Sequence, residues 1–326
     1  MPRLARLQTA LLAVSLAGCG YIGNPLPPAL KRPLRVTDLA AVQRGSFIIV
    51  QFTIPKLTTE GLPIKGDPDI ELRVGPWGKA PGLSDLETWI KTSDRQTVVQ
   101  DRPIAVVKVP AAKYYGKTVD IAVNVHGPQG RSMGWSTFQI VTVVTALPVP
   151  EGLTASDAPD AVHLEWHGAA PEYRIFRKPE PSPTPEWEQI GTSPKTSYAD
   201  ATIEYGKTYK YFVQAVEKTG DTYAESELSP EITFKPTDHF APAVPTSLTA
   251  IPGARSIELV WDRNLEKDFA TYRVYRNGQE LARDLTSASY SDQTAQPGTK
   301  YQYQVSAVDT ANNESAKCPV FEALLP

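Results

Sequence analysis

Short runs of alternating apolar and polar residues recur through the second half of the chain. Residues 162–166 read Val-His-Leu-Glu-Trp, and residues 257–261 read Ile-Glu-Leu-Val-Trp. Residues 173–177 and 272–276 continue the alternation. Because successive side chains of a strand point to opposite faces, a period of two indicates strands with one buried face. The pattern therefore predicts β-structure with both tryptophans on the inner face.

The two parts of this region repeat one pattern. Residues 198–200 (Tyr-Ala-Asp) match residues 290–292 (Tyr-Ser-Asp), and residues 206–216 match residues 298–308 in the order Gly, Tyr-x-Tyr, Val and Ala-Val. The spacing between the two matched segments is the same in both copies. An internal repeat of this kind predicts two domains that share one fold.

Both copies resemble fibronectin type III domains. Each has a proline-rich start, a tryptophan on strand B, a tyrosine that opens strand C and a Tyr-x-Tyr-x-Val-x-Ala-Val strand F. The resemblance implies immunoglobulin-like β-sandwiches in which Trp166 and Trp261 fill the space between the sheets. It also implies that Tyr209 and Tyr301 form tyrosine corners, which tie the crossover between strands E and F to the sandwich.

The resemblance covers residues 148–236 and 242–326, and residues 34–146 look like a more divergent copy. In that copy Phe52 stands where the others have tryptophan, and Val119 stands where they have the corner tyrosine. We therefore expect three tandem sandwiches of about 100 residues each, a usual size for a domain. The 30 prolines gather at segment ends and also favour an all-β chain.

An insert around residues 75–102 is the most individual feature of the divergent copy. Within it, Ser84 precedes Glu87 by three residues, which is the spacing of a capping box. One short helix is therefore expected in the insert. An unfamiliar enzymatic site hidden there is the least favoured of the functional hypotheses.

The N-terminus has the pattern of a signal peptide, predicted to span residues 1–18. Arg3 and Arg6 precede an apolar stretch far shorter than the roughly 20 residues of a membrane-spanning helix. The stretch ends in Leu-Ala-Gly-Cys at residues 16–19, which resembles the bacterial lipobox. The resemblance implies that Cys19 becomes the first mature residue and carries acyl chains that hold the protein on a membrane. The alternative is an ordinary secretory signal in which Cys19 has no role.

Residues 19–33 are rich in proline and suit an extended polyproline II tether between the lipid and the folded part. Gly20 occupies the position at which an aspartate would resemble an inner-membrane retention signal. Delivery to the outer membrane, facing the periplasm or the exterior, is therefore the hypothesis for localisation.

Charge and cysteine content narrow the function further. The 33 basic and 36 acidic residues nearly cancel without long runs of one sign, so nucleic acid is not an expected partner. With Cys19 acylated, Cys318 has no cysteine partner, and we expect it to be a small buried or half-buried residue. Without an intrachain disulfide, the sandwiches are expected to hold by packing alone.

Residues capable of catalysis or metal binding occur without a supporting motif. His163 and His167 lie about 13 Å apart on a strand, too far to bind one metal ion without other ligands. They point away from Trp166, so we expect both at the surface. Acidic pairs, Asp67 with Asp69 and Asp262 with Asp268, fall in turns, where aspartate is favoured for local hydrogen bonding. We expect no catalytic residues, cofactor or metal.

Four tryptophans remain as candidates for partner binding: Trp77, Trp89, Trp135 and Trp187. Aromatic residues concentrate in binding patches, but they also fill small cores, and the sequence leaves both interpretations open. The leading hypothesis is a non-enzymatic envelope lipoprotein that acts as a binding or scaffold module for a protein or polysaccharide. The oligomeric state is open.

An alternative hypothesis is an accessory factor in outer-membrane or lipopolysaccharide assembly. Residues 19–26 resemble the mature start of a small lipoprotein of that machinery, Cys-Gly-x-x-Gly-Pro-Leu, with Asn24 as an extra residue. Such a factor would act through its lipidated N-terminal segment.

Overall fold

The computed structural model describes residues 31–77, 82, 85–127 and 129–326. Strands dominate these residues, beside one short α-helix and one 3₁₀ turn (Ala111–Tyr114). The predicted fold class is confirmed: the chain is all-β and forms tandem immunoglobulin-like sandwiches. The signal peptide, Cys19 and the tether up to residue 30 lie outside the described residues.

The chain divides into two compact units. The first comprises the described residues within 1–40, 50–107 and 120–140, and the second comprises residues 41–49, 108–119 and 141–326. The domain boundaries inferred from the sequence stay a prediction. Among the described residues, no helix is both long and apolar enough to cross a membrane.

The elements up to residue 143 are β1 (Ala40–Arg44), β2 (Phe47–Thr53), β3 (Asp69–Pro76), α1 (Leu86–Thr92), β4 (Asp94–Gln96), β5 (Ile104–Pro110), β6 (Lys117–His126), β7 (Ser132–Trp135) and β8 (Gln139–Val143). The strands from there to residue 234 are β9 (Glu151–Ala158), β10 (Ala161–His167), β11 (Glu172–Glu180), β12 (Glu188–Ser193), β13 (Ser197–Asp200), β14 (Thr208–Thr219), β15 (Thr222–Glu225) and β16 (Ile232–Phe234). The last strands are β17 (Thr249–Pro252), β18 (Ile257–Val260), β19 (Phe269–Arg276), β20 (Gln279–Leu285), β21 (Ser289–Asp292), β22 (Lys300–Asp309) and β23 (Phe321–Leu324).

Residues 151–234 form what we call the second sandwich. One sheet has the order β13-β10-β9, and the other contains β12-β11-β14-β15, with β16 also paired to β14. Trp166 is buried, and its ring meets Tyr173 edge-on at 5.3 Å between centroids. Inward residues of β11 and β14 complete the core, because apolar side chains alternate along both strands.

Residues 249–325 form what we call the third sandwich and repeat this arrangement. Sheets of order β17-β18-β21 and β20-β19-β22-β23 enclose a core that contains Trp261. The Trp261 ring meets Tyr272 edge-on at 5.2 Å. Cys318 is buried in the same core, and burial raises the pKa of its thiol, which favours the neutral form.

The corner tyrosines occupy equivalent places in the two sandwiches. Tyr209 and Tyr301 are buried, and each hydroxyl oxygen accepts a backbone N–H at 3.0 Å from the residue five positions earlier, Glu204 or Gln296. These contacts fix the loop that leads into β14 or β22, as the resemblance implied.

A buried carboxylate connects the two sheets of each sandwich. Asp292 on β21 accepts hydrogen bonds from Tyr303 on β22 at 2.7 Å and from Arg276 on β19 at 2.8 Å. Asp200 on β13 has the same two contacts, with Tyr211 and Arg177, each at 3.0 Å. The expectation that the sandwiches hold by packing alone is therefore wrong, because an ion pair and a hydrogen bond cross each core.

Buried hydroxyl groups replace part of the strand pairing in all three copies. The Ser226 hydroxyl oxygen accepts the Ala215 N–H at 3.0 Å, and Ser315 accepts the Ala307 N–H at 2.9 Å. In the first unit, Ser136 accepts the Val123 N–H at 3.1 Å. A backbone N–H that would otherwise be buried without a partner is thereby satisfied. Phe52 and Val119 are also buried in the divergent copy.

The insert of the first unit contains the expected short helix. Its N-cap residue is Asp85, not Ser84, which lies outside the described residues. Arg73 on β3 donates to the carbonyl oxygens of Ile90 at 2.6 Å and Ser93 at 2.9 Å, so the last turn of α1 is held against the sheet. Gly75 permits this approach, because a Cβ atom there would lie 2.5 Å from the Ser93 Cβ.

In the second unit, β1 extends a sheet of the second sandwich by pairing in parallel with β15. Glu225 on β15 accepts hydrogen bonds from Arg44 on β1 at 2.9 Å and from Arg174 on β11 at 2.8 Å. The buried Gln43 amide bonds to both the N–H and the carbonyl of Val144, at 2.9 and 2.7 Å. Two polar side chains therefore fix this strand in place.

We expect Asp292→Asn to lower the free energy of unfolding by about 1–3 kcal/mol at pH 7, because the change leaves the half-buried Arg276 without its anion. Burial raises the pKa of Asp292, but hydrogen bonds from Tyr303, Thr294 and Arg276 outweigh burial and leave the pKa below its ordinary value. The stabilisation is therefore present above the unfolded-state pKa of about 3.9 and is lost as the pH falls through the native value.

Urea titrations between pH 2 and 8 measure this effect. The variant is expected to show a flatter stability profile in acid than the wild type, whereas the exposed substitution Asp221→Asn leaves the profile unchanged. Equal profiles for wild type and Asp292→Asn would contradict the role of the inter-sheet carboxylate.

Candidate functional site

Aromatic side chains form a cluster on the outer face of the second sandwich. Phe176 on β11 stands directly opposite Phe212 on β14, and the two rings stack with centroids 4.6 Å apart and an interplanar angle of 22°. Their strand neighbours Ile175 and Val213 point into the core, so alternation directs both phenylalanines outward. Phe212 is nevertheless only 5% exposed, which means that other groups cover it.

Trp187 provides part of that cover. It ends the proline-rich connection between β11 and β12, and its ring meets Phe212 edge-on at 4.6 Å. Lys178 donates to the Pro185 carbonyl at 3.1 Å, and its ammonium lies 6.0 Å from the centroid of the Trp187 ring. The connection therefore folds back onto the sheet, and Trp187 is half-buried.

Cations flank the ring pair. Lys178 and Lys210 stand directly opposite each other, one position along the same face from Phe176 and Phe212. Glu180 forms an ion pair with Lys210 at 3.2 Å. We call Phe176, Trp187, Phe212, Lys178 and Lys210 together the aromatic face.

On the other side of the rings lies a second cation–ring contact. The Arg174 guanidinium lies 4.8 Å from the centroid of the Tyr223 ring and is also paired with Glu225. Arg174 stands opposite Gln214. This face of the sheet thus has a lysine row, an aromatic row and the Arg174–Gln214 row in succession along its strands, and Gln214 is buried.

The third sandwich lacks most of this arrangement. Tyr275 and Gln304 occupy the positions of Phe176 and Phe212. The connection between β19 and β20 is only Asn277-Gly278, so it offers no counterpart of Trp187. Since both sandwiches have the same inner contacts, the fold does not require the aromatic face.

The other candidate tryptophans, for which the sequence left both interpretations open, lie in the first unit. Trp89 has no exposed surface, so its assignment to partner binding is wrong. Its ring packs edge-on against Trp135 at 5.5 Å and Phe138 at 4.9 Å, which makes it the core residue of α1. Trp135 and Trp77 are half-buried.

The histidines and one acidic pair are at the surface. His163 and His167 are exposed on β10, on the face opposite Trp166, as the alternation predicted. Asp67 and Asp69 are also exposed. Asp69 is paired with Arg95 at 2.5 Å.

The other acidic pair is separated by the fold. Asp262 is exposed, and hydrogen bonds from Ser247 and Thr246 lower the pKa of its carboxyl. Asp268 instead joins Asp238 and Asp309, with carboxylate oxygens within 4.8 Å of one another. Carboxylate oxygens are ligands of hard cations such as Ca²⁺, but Ca²⁺ takes about 6–8 of them and these three residues offer one each.

The proximity of these acids affects Asp268 most. Partial burial raises the pKa of its carboxyl, and the nearby carboxylates of Asp238, Asp160 and Asp309 raise it further. No sequence pattern pointed to the cluster, since its members are separated by dozens of residues. It did carry a signal for the aromatic face: Phe212 is an outward aromatic residue where the repeat has Gln304.

The curated proteins that resemble this chain do so over part of its length. No protein-family model matches the chain. The chain is 30% identical over 183 residues to Exoglucanase B of Cellulomonas fimi, which is 53% of this chain and 16% of that protein. It is 36% identical over 91 residues to an Alpha-amylase of Niallia circulans, covering 27% of this chain and 7% of the relative. The chain thus spans 16% or less of the length of these two curated relatives.

Solved structures similar to the chain include the FN1-FN3 domains of chicken CNTN1, at 11% identity and a TM-score of 0.27, over 90% of this chain and 99% of that one. A Fn3-like protein from Clostridium thermocellum is 30% identical with a TM-score of 0.24, over 27% of this chain and 96% of that one. The two-sheet cores, the central tryptophans and the tyrosine hydroxyl contacts described above make the fold fibronectin type III-like.

We expect Asp268→Asn to stabilise the protein at pH 7 by up to about 0.5 kcal/mol, the usual range for a surface substitution. A carboxyl whose native pKa is raised favours folding while it is protonated, and this contribution is lost as the pH rises through the native pKa. The gain of the variant should therefore vanish in acid.

Asp262→Asn is the matched control, because the pKa of Asp262 is lowered. That variant should be less stable than the wild type at pH 7. Thermal unfolding of both variants at pH 3 and pH 7 measures the contrast, and a loss of stability in Asp268→Asn at pH 7 would contradict the prediction.

Proposed function

We propose that the protein is a non-enzymatic lipoprotein of the cell envelope that acts as a binding or scaffold module for a protein or polysaccharide partner. The observation that carries this proposal is the aromatic face of the second sandwich. It concentrates aromatic rings, as binding surfaces do, at positions that the third sandwich fills differently. Function on such folds resides in surface sites added to a common core.

The similarity to large enzymes supports a non-catalytic role. Their names describe activities of whole proteins, of which this chain matches only a small part. A segment shared in this way is an accessory domain, which contributes binding or spacing rather than catalysis.

Membrane attachment in this proposal depends on Cys19. Two or three acyl chains give stable anchoring, because each buried CH₂ contributes about 0.8 kcal/mol. The proline-rich residues that follow separate the sandwiches from the lipid surface. The aromatic face is then free to meet other molecules of the envelope.

We expect mass spectrometry of the mature protein to find an acylated Cys19 at its N-terminus. Cys19→Ser should move the protein from the membrane fraction to the soluble fraction, since no acyl chain can attach. An unmodified cysteine at the mature terminus, or a membrane-bound Cys19→Ser variant, would contradict the anchor.

In-cell crosslinking followed by mass spectrometry tests the binding role. We expect an envelope partner whose yield falls on the order of tenfold in Trp187→Ala, the loss expected for an aromatic anchor. Gln304→Ala in the third sandwich is the matched control and should leave the yield unchanged. Recovery of no envelope partner, or the same partner in equal yield from Trp187→Ala, would reject the proposal.

A further inference from the structure

We propose that the aromatic face of the second sandwich binds an anionic polysaccharide. This inference rests on the proposed binding function and deepens it by naming the class of partner. It is carried by the order of side chains on one sheet surface, by the charges around the rings and by the difference between two copies of one fold.

The rings supply the apolar part of the site. Phe176 and Phe212 stack side by side on the sheet, and Trp187 stands beside them at the end of its connection. Pyranose rings present C–H groups on their faces, and these groups pack against the electron-rich faces of aromatic rings. Phe176 and Trp187 are half-buried, so part of each ring is accessible to a sugar.

The lysines supply the selectivity for charge. Like charges directly opposite each other on neighbouring strands destabilise a sheet, yet Lys178 and Lys210 hold this position. Glu180 compensates Lys210 through an ion pair at 3.2 Å, and Lys178 donates to a neutral carbonyl oxygen. The two lysines therefore outnumber the one glutamate paired with them, whereas the chain as a whole has a formal net charge of −3.

The order of the rows favours a polymer of charged sugars. Residues on one face of a strand repeat at roughly 7 Å, which places the lysine row next to the ring row along the strands. The row on the other side of the rings is already bonded within the chain, because Arg174 and the buried Gln214 both contact Glu225. A chain of sugars that carry carboxylates or other anionic groups offers apolar ring faces and negative charges at alternating points. The experiment below distinguishes a protein partner from a polysaccharide.

The third sandwich is a control within the molecule. It retains one cation–ring contact, with the Lys317 ammonium 3.6 Å from the centroid of the Tyr275 ring. It has Gln304 in place of Phe212 and no residue in place of Trp187. If a cation beside a ring were sufficient, both sandwiches would bind the same polymer.

Isothermal titration of the full-length protein in detergent micelles, with alginate as the anionic probe and dextran as the neutral probe, tests the inference. We expect binding of alginate only, with an affinity that falls as salt screens the lysines. Trp187→Ala and the double variant Lys178→Gln/Lys210→Gln should each weaken binding about tenfold or more. Gln304→Ala and Lys317→Gln should bind alginate as the wild type does.

Thermal unfolding of each variant shows whether it is folded. If Trp187→Ala does not fold, the lysine variants still test the inference. Equal weakening by Lys317→Gln would show non-specific attraction of a polyanion and reject the inference. Equal binding of dextran and alginate would reject the role of charge. If neither polymer binds while crosslinking still recovers a protein partner that depends on Trp187, this inference fails and the proposed function stands.

Discussion

Both closely matching sandwiches depend on a carboxylate buried between their sheets. Asp200 and Asp292 each receive an arginine and a tyrosine from the opposite sheet, so one side chain fixes three strands. Burial raises the pKa of Tyr303, and its contact with Asp292 raises it further, so the hydroxyl stays protonated and donates. A charge in such a place is tolerated only with complete pairing. Cys318 is the only cysteine among the described residues, so this interaction takes the structural place that a disulfide has in many sandwiches.

The second unit uses charge in two opposite ways. Where β1 joins the sheet of the second sandwich, Glu225 is shared by two arginines and Gln43 holds Val144, so opposite charges and hydrogen bonds stabilise the contact. Where the chain enters the third sandwich, three aspartates lie together, and burial and the neighbouring carboxylates raise the pKa of Asp268. In the first arrangement, partners within the chain neutralise the charge of Glu225. In the second, the like charges make the stability of the protein depend on pH.

Repetition within the chain separates what the fold needs from what it does not. The inner contacts, which include the tryptophan, the corner tyrosine, the buried carboxylate and the buried serine, occur in both the second and third sandwiches. The outer face differs: aromatic residues and a long proline-rich connection occur in one copy only. Selection on a shared core preserves packing, and a surface that departs from its copy is where binding is expected.

The sequence by itself determined the strands, the inner position of Trp166 and Trp261 and the repeat, because the alternation of side chains is a local property of the backbone. The tertiary structure decided which distant residues meet. It buried Trp89 on the inner face of α1, gathered the three aspartates, and brought Trp187 back onto Phe212. Contacts of this kind depend on how strands far apart in the chain are arranged, and hydrophobic periodicity carries no information about that arrangement.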